Sequence, residues 1–283
     1  MRSPCYNFTL PAAARRCAAL LLLLCACFAA TPAAARGPAV NAPRRPILAL
    51  LGLRVVQALP HDPEAFTQGF YAKDGLFYES VGHYGASELR VVEPKSGRVL
   101  RRRRLPDDLF GEGLAPAGPK IIQLTWKSGR ALLWDGRTLG RAGEANLGRE
   151  AWGLAAGPET LYLSDGSERI FLLSPTSMAE TGSIVVRDGT RAVSQLNELE
   201  YVRGFLLANI WFEDSVAVIE PETGRVSAWI DLAPLRPLLG PDAGVANGIA
   251  WDGQRLYVTG KNWDKVFAIE VPDAPWEQPP APH

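Results

Sequence analysis

Phe66-Thr67-Gln68-Gly69-Phe70, then Asp74-Gly75, then Leu76-Phe77-Tyr78 read as strand, turn and strand. The opening phrase returns at Phe110-Gly111-Glu112-Gly113-Leu114, Ala151-Trp152-Gly153-Leu154, Leu196-Asn197-Glu198-Leu199 and Ala246-Asn247-Gly248-Ile249. Aligned on Phe70, Leu114, Leu154, Leu199 and Ile249, the copies lie 44, 40, 45 and 50 residues apart. That period suits a four-stranded propeller blade.

Each copy continues in the same way. Second strands are expected at Leu76-Phe77-Tyr78, Ile121–Leu124, Leu161–Leu163, Phe205–Leu207 and Leu256–Val258. Third strands follow at Leu89–Val92, Ala131–Trp134, Ile170–Leu173, Val216–Ile219 and Val266–Ile269. Fourth strands are legible at Val99–Leu105, Gly182–Val186 and Val226–Leu232. The last copy has none, because Pro272 ends the pattern, while Leu53–Leu59 is a strand with no blade of its own. Placing it as the outer strand of the fifth blade closes the ring and protects the edges. The expected fold is all-β, a five-bladed β-propeller of four-stranded blades over residues 53–271. Residues 36–52 read as a linker with Pro38, Pro43 and Pro46, and 272–283 as a Pro-rich tail.

The first 35 residues read as a secretory signal peptide. Arg2, Arg15 and Arg16 precede an apolar run from Ala18 to Ala30, and Ala33-Ala34-Ala35 offers a cleavage site. The run is too short for a membrane span. An exported protein, periplasmic or secreted, is expected; Leu24-Cys25-Ala26-Cys27 alternatively offers Cys27 as a lipidated N-terminus. Cys5, Cys17, Cys25 and Cys27 are the only cysteines, so cleavage after Ala35 removes every thiol. The chain carries 30 basic and 30 acidic residues, with three arginines and no acid in the leader. The remainder is slightly acidic, and no basic field favours nucleic acid.

Two residues before each anchor stand Gln68, Glu112, Trp152, Asn197 and Asn247. Equivalent strands would bring them round one axis. A second ring, at the ends of the second strands, is read as Glu79, Trp126, Asp165, Trp211 and Lys261. Together they supply carboxylates, amides, one ammonium and three indoles at one mouth of the channel. Three tryptophans at channel-facing phases suit the wall of a small organic-ligand pocket. Glu112 lies between two glycines, where backbone can approach a ligand closely. Asp165-Gly166-Ser167 also reads as a simple turn. His61, His83 and His283 are too scattered for a histidine metal site, and no Gly-x-Ser-x-Gly elbow or phosphate loop occurs. Carboxylate acid–base work, with amides and an ammonium to steady charge, is what remains.

The chain resembles the glutaminyl cyclases of the plant and bacterial type. The matching phrases are FTQG (66–69), YESVGHYGASELR (78–90), FGEGL (110–114), QLTWK (123–127), WGLA (152–155), SDGS (164–167), LNELEY (196–201), ANIW (208–211), NGIAWD (247–252) and VTGKNW (258–263). They run in order through nearly all of residues 60–270. His83-Tyr84, Ala86 and Ala151 are small departures from the pattern. The resemblance implies a five-bladed propeller enzyme that converts an N-terminal glutamine of a peptide or protein to pyroglutamate and releases ammonia. It implies Glu112 as acid/base and Lys261 and Asn197 as pocket residues; for the developing oxyanion the chain offers either Lys261 or an amide such as Asn197. Phe66, Gln68, Phe110, Trp126, Trp152 and Trp211 are implied pocket residues, and Glu79 a supporting carboxylate. No cofactor and no catalytic metal are expected; a structural divalent ion in the channel is compatible. A closed ring needs no partner to cover its edges, so a monomer is expected.

Two other readings fit parts of the pattern. In a gluconolactonase-like propeller a central divalent cation would activate water, with Glu79, Glu112, Asp165 and the ring amides as oxygen ligands. In a non-catalytic propeller the same face would bind a partner.

Overall fold

The computed structural model describes residues 48 and 50–277, so the leader and most of the linker lie outside the described residues. Strands dominate, and they build five blades of antiparallel strands in which consecutive strands are neighbours, with an N-terminal strand added at the outer edge of blades four and five. Blade one is Thr67–Lys73, Leu76–Val81, Glu88–Glu93 and Arg98–Arg104. Blade two is Gly111–Ala117, Lys120–Thr125, Arg130–Asp135 and Arg141–Asn146; the polar last strand had no apolar signal to betray it. Blade three is Leu154–Ala156, Leu161–Ser164, Arg169–Leu173 and Glu180–Val185. Blade four is Leu196–Val202, Phe205–Ile210, Ser215–Ile219 and Val226–Asp231. Blade five is Ala246–Trp251, Leu256–Gly260 and Lys265–Glu270, completed by Arg54–Pro60 from the other end of the fold. That closing strand is antiparallel to Lys265–Glu270, with Arg54 opposite Glu270 and Pro60 opposite Lys265.

Burial explains the layout. The innermost strands are covered along most of their length, as in Thr67–Lys73, whereas the outer strand Arg98–Arg104 is mainly exposed. The apolar core falls into five clusters, one for each pair of adjacent blades. Strand periodicity builds them, because successive side chains point to opposite faces. Phe70 packs into the interface of blades five and one, while its neighbour Tyr71 packs between blades one and two. Leu114 and Ala115, and Ile249 and Ala250, divide in the same way.

Two segments assigned outside the propeller belong to it. Leu50–Leu51, read as linker, pairs in parallel with Val226–Asp231 and gives blade four a fifth strand. The reason is apolar: Leu51 is buried between blades four and five. In the Pro-rich tail, Pro275–Glu277 forms a short 3-10 turn and Trp276 packs against the same cluster. Residues 187–192 add a small hairpin between blades three and four.

Candidate active site

The innermost strands share a defect that builds the site. Their pairing to the second strand is irregular between Thr67 and Gly69, Gly111 and Leu114, Leu196 and Leu199, and Ala246 and Ile249. Gln68, Glu112, Asn197 and Asn247 all lie inside these interruptions. A bulge bends its strand and re-aims a side chain, here toward the axis. In blade three the regular strand starts only at Leu154, leaving Trp152 just ahead of it. The inner strands also crowd together. A Cβ on Gly113 would stand 2.6 Å from Leu154 N and Trp152 O, so only glycine fits beside Glu112.

A cavity of about 400 Å³ opens at this end of the axis. It is lined by Gln68, Glu112, Trp152 and Asn197 from the first ring, and by Trp126, Trp211 and Lys261 from the second, with Phe66 and Phe110. Asn247 stands behind Gln68. Its Nδ2 donates to Thr67 O at 2.9 Å and to Gln68 Oε1 at 3.2 Å. Gln68 Nε2 donates in turn to Glu112 Oε1 at 3.0 Å. Because Asn247 can only donate to the Gln68 oxygen, it fixes which end of the Gln68 amide meets the carboxyl.

Glu112 and Lys261 are both buried, at 4% and 6% exposure. Burial pushes the Glu112 carboxyl well above the ordinary carboxylate range; Lys261 draws it back, and Glu150 pushes it further up. Burial pulls the Lys261 ammonium down to about 8, against the attraction of Glu112. Lys261 Nζ also lies 4.6 Å from the centre of the Phe66 ring. The Asn197 side-chain oxygen has no hydrogen-bond partner among the described residues.

Glu79 does not line the cavity. It is buried within the second strand of blade one, bound to His61 Nε2 at 2.9 Å and to Thr67 Oγ1 at 2.7 Å. The error is one of phase. Trp126, Trp211 and Lys261 each follow the first ring by 14 residues, and the residue at that offset from Gln68 is Gly82. A Cβ there would clash with Phe110 Cε1, so a glycine gives the Phe110 ring its place. Asp165 is a turn residue, accepting from Ser167 N at 3.0 Å and Ser167 Oγ at 2.6 Å. The three carboxylates read as cation ligands therefore do not converge. Among the described residues no group of three or more His, Cys, Asp or Glu side chains is placed to hold a metal.

Several lining residues escaped the repeat reading: His83, Phe212, Gly244, Val245 and Asn262, all in the connections at the mouth. Glu150 was missed too, although it stands only two residues before Trp152.

A closed propeller that seats a buried carboxyl and a desolvated lysine in an aromatic cup has the layout of an enzyme's active site. The comparisons specify it further. The glutamine cyclotransferase family profile matches residues 20–271. Glutaminyl-peptide cyclotransferase of Arabidopsis thaliana is 39% identical over 232 residues, spanning 78% of this chain and 72% of the relative. The crystal structure of Myxococcus xanthus glutaminyl cyclase superposes with a TM-score of 0.74 at 33% identity, covering 79% of this chain and 97% of that one. The chain belongs to the glutamine cyclotransferase family.

Proposed function

We propose that this cavity converts an N-terminal glutamine of a peptide or protein to pyroglutamate and releases ammonia. The observation that carries the reading is Glu112: a buried carboxyl, raised in pKa, oriented by Gln68, inside a cup that accepts one folded side chain. Ring closure needs the α-amine to lose a proton as its nitrogen attacks the γ-carbonyl carbon. Glu112 takes that proton. The tetrahedral intermediate collapses by breaking its bond to the amide nitrogen, which leaves as ammonia with the proton returned from Glu112. One carboxyl thus serves as base and then acid, and a raised pKa suits both halves near neutral pH.

Lys261 is the group for the γ-oxygen, whose negative charge it meets in a site of low dielectric. Asn197 presents an unpaired oxygen, an acceptor for a substrate N–H. Phe66, Phe110, Trp126, Trp152 and Trp211 hold the side chain curled, with amine against carbonyl, which is the entropic part of the catalysis.

We propose further that the chemistry needs no metal, that the N-terminal segment directs export, with Cys27 the alternative processing point, and that the closed ring acts as a monomer. Among the described residues no helix is long and apolar enough to cross a membrane. The test is incubation of the purified chain with a Gln-initiated peptide, with and without EDTA. Ammonia and a pyroglutamyl product in equal amounts under both conditions support the proposal. Loss with EDTA would make the site metal-dependent, and no product from any such peptide would overturn the cyclase reading.

A further inference from the structure

The aromatic wall of the cavity is almost continuous from ring to ring. Phe66 meets Phe110 edge-on with centroids 6.4 Å apart, and Phe110 meets Trp126 at 5.5 Å. On the other side Trp152 meets Trp211 at 5.2 Å, and Trp211 stacks on Phe212 at 4.3 Å. Between Trp126 and Trp152 stands a carboxylate instead of another ring contact. Glu150 Oε1 accepts the indole N–H of Trp126 at 2.5 Å and that of Trp152 at 2.9 Å.

We propose that Glu150 is a positioning residue of this enzyme, one oxygen clamping two tryptophans into a single substrate-holding wall. The proposal rests on the cyclase reading of the cavity. An indole N–H is a donor only and, where a pocket shields it from water, it needs an acceptor. Without Glu150 two such donors lose theirs together, and both rings gain freedom to swing. A single acceptor shared by two rings also couples them, so the wall holds its shape as a unit. Hydrogen bonds to a charged acceptor are the stronger kind.

The charge has a separate consequence. Glu150 is one of the groups that raise Glu112, and Lys261 is the group that opposes it. The other titratable side chain lining the cavity is His83, and Lys127 lies outside it over the Trp126 face at 4.2 Å. Removing the Glu150 charge therefore lets Glu112 fall toward its ordinary range. Activity requires Glu112 as base, so the acid limb of kcat/KM moves to lower pH; substrate ionisation is common to both proteins and cancels.

Two variants separate clamp from charge. E150A loses both; E150Q loses the charge but keeps an oxygen that accepts from both indoles. With a Gln-initiated dipeptide, E150A is expected to show KM raised about tenfold and the acid limb moved to lower pH. E150Q is expected to show the same limb movement with KM within about twofold of wild type. The indole N–H resonances of Trp126 and Trp152, assigned through Trp→Phe variants, should both shift in E150A and no other indole should move as far. An unchanged KM and acid limb in E150A, or unmoved resonances for both rings, would overturn the proposal. If the resonances shift but the wild-type chain makes no pyroglutamate from any Gln-peptide, the clamp stands and the cyclase reading falls.

Discussion

Gln68 and Glu112 occupy the same position in adjacent blades, and the Gln68 side-chain nitrogen donates to Glu112 Oε1 at 3.0 Å. The repeat that builds the fold thus delivers a base and its orienting amide side by side. Asn247, at the same position one blade earlier, holds the Gln68 oxygen and completes a line of three ring residues.

That line predicts an order of effects. Asn247→Ala leaves the Gln68 amide free to turn, and kcat is expected to fall about tenfold, the worth of one well-placed hydrogen bond. Asn247→Asp should fall further, because a carboxylate would face the oxygens of Thr67 and Gln68 where donors are needed. Steady-state kinetics of both variants check this. An Asp variant as active as wild type would remove the orienting role.

Lys261 is the counterweight of Glu112. Lys261→Met is expected to lower kcat by roughly a hundredfold or more, as for loss of an oxyanion donor. It should also move the acid limb of kcat/KM to higher pH, because Lys261 is what draws Glu112 down. The wild-type enzyme should lose activity as pH rises through about 8, where the Lys261 ammonium gives up its proton. A pH profile of Lys261→Met with the acid limb unmoved would separate the two groups.

The strand that closes the ring is followed by a buried latch. His61 places Nδ1 2.7 Å from Trp263 O and Nε2 2.9 Å from Glu79 Oε1, two acceptors that together favour the doubly protonated ring. Burial works against that charge, but Glu79 and the Trp263 carbonyl more than offset it, and the His61 pKa stands above its ordinary value. Burial opposes the charge of Glu79 as well, yet His61 holds it below its ordinary value. A histidine raised in the fold contributes fully below its free value of about 6.5 and loses that contribution as pH rises through the folded one. A lowered carboxyl contributes above about 4.5 and loses it as pH falls through its folded value. His61→Ala is therefore expected to cost about 3 kcal/mol between these pH values, with the difference shrinking on either side. Urea midpoints of both proteins across pH measure it; a constant difference would contradict the ion pair.

Much of this was legible in the chain because propeller blades repeat. The five phrases at Phe66, Phe110, Ala151, Leu196 and Ala246 gave blade number and strand order, and the orphan strand Leu53–Leu59 gave the closure; of the first ring, Gln68, Glu112, Trp152 and Asn197 line the cavity, with Asn247 behind Gln68. Glu79 failed for a local reason: the second ring needs a residue 14 after Gln68, and Gly82 has no side chain to announce itself. Glu150, His83 and Phe212 lie in connections outside the repeat, where periodicity carries no information and only the folded path brings them to the cavity. Leu50–Leu51 was too short a run to read as a strand apart from the blade-four edge that it joins.

Glu112 is the group on which turnover depends, and the most direct test compares ammonia release from a Gln-initiated peptide by wild type and Glu112→Gln, both in excess EDTA. Wild type should turn over, and the variant, still folded and with KM within a few-fold, should lose roughly a thousandfold in kcat. Near-normal turnover by Glu112→Gln would contradict the assignment of acid and base to this carboxyl.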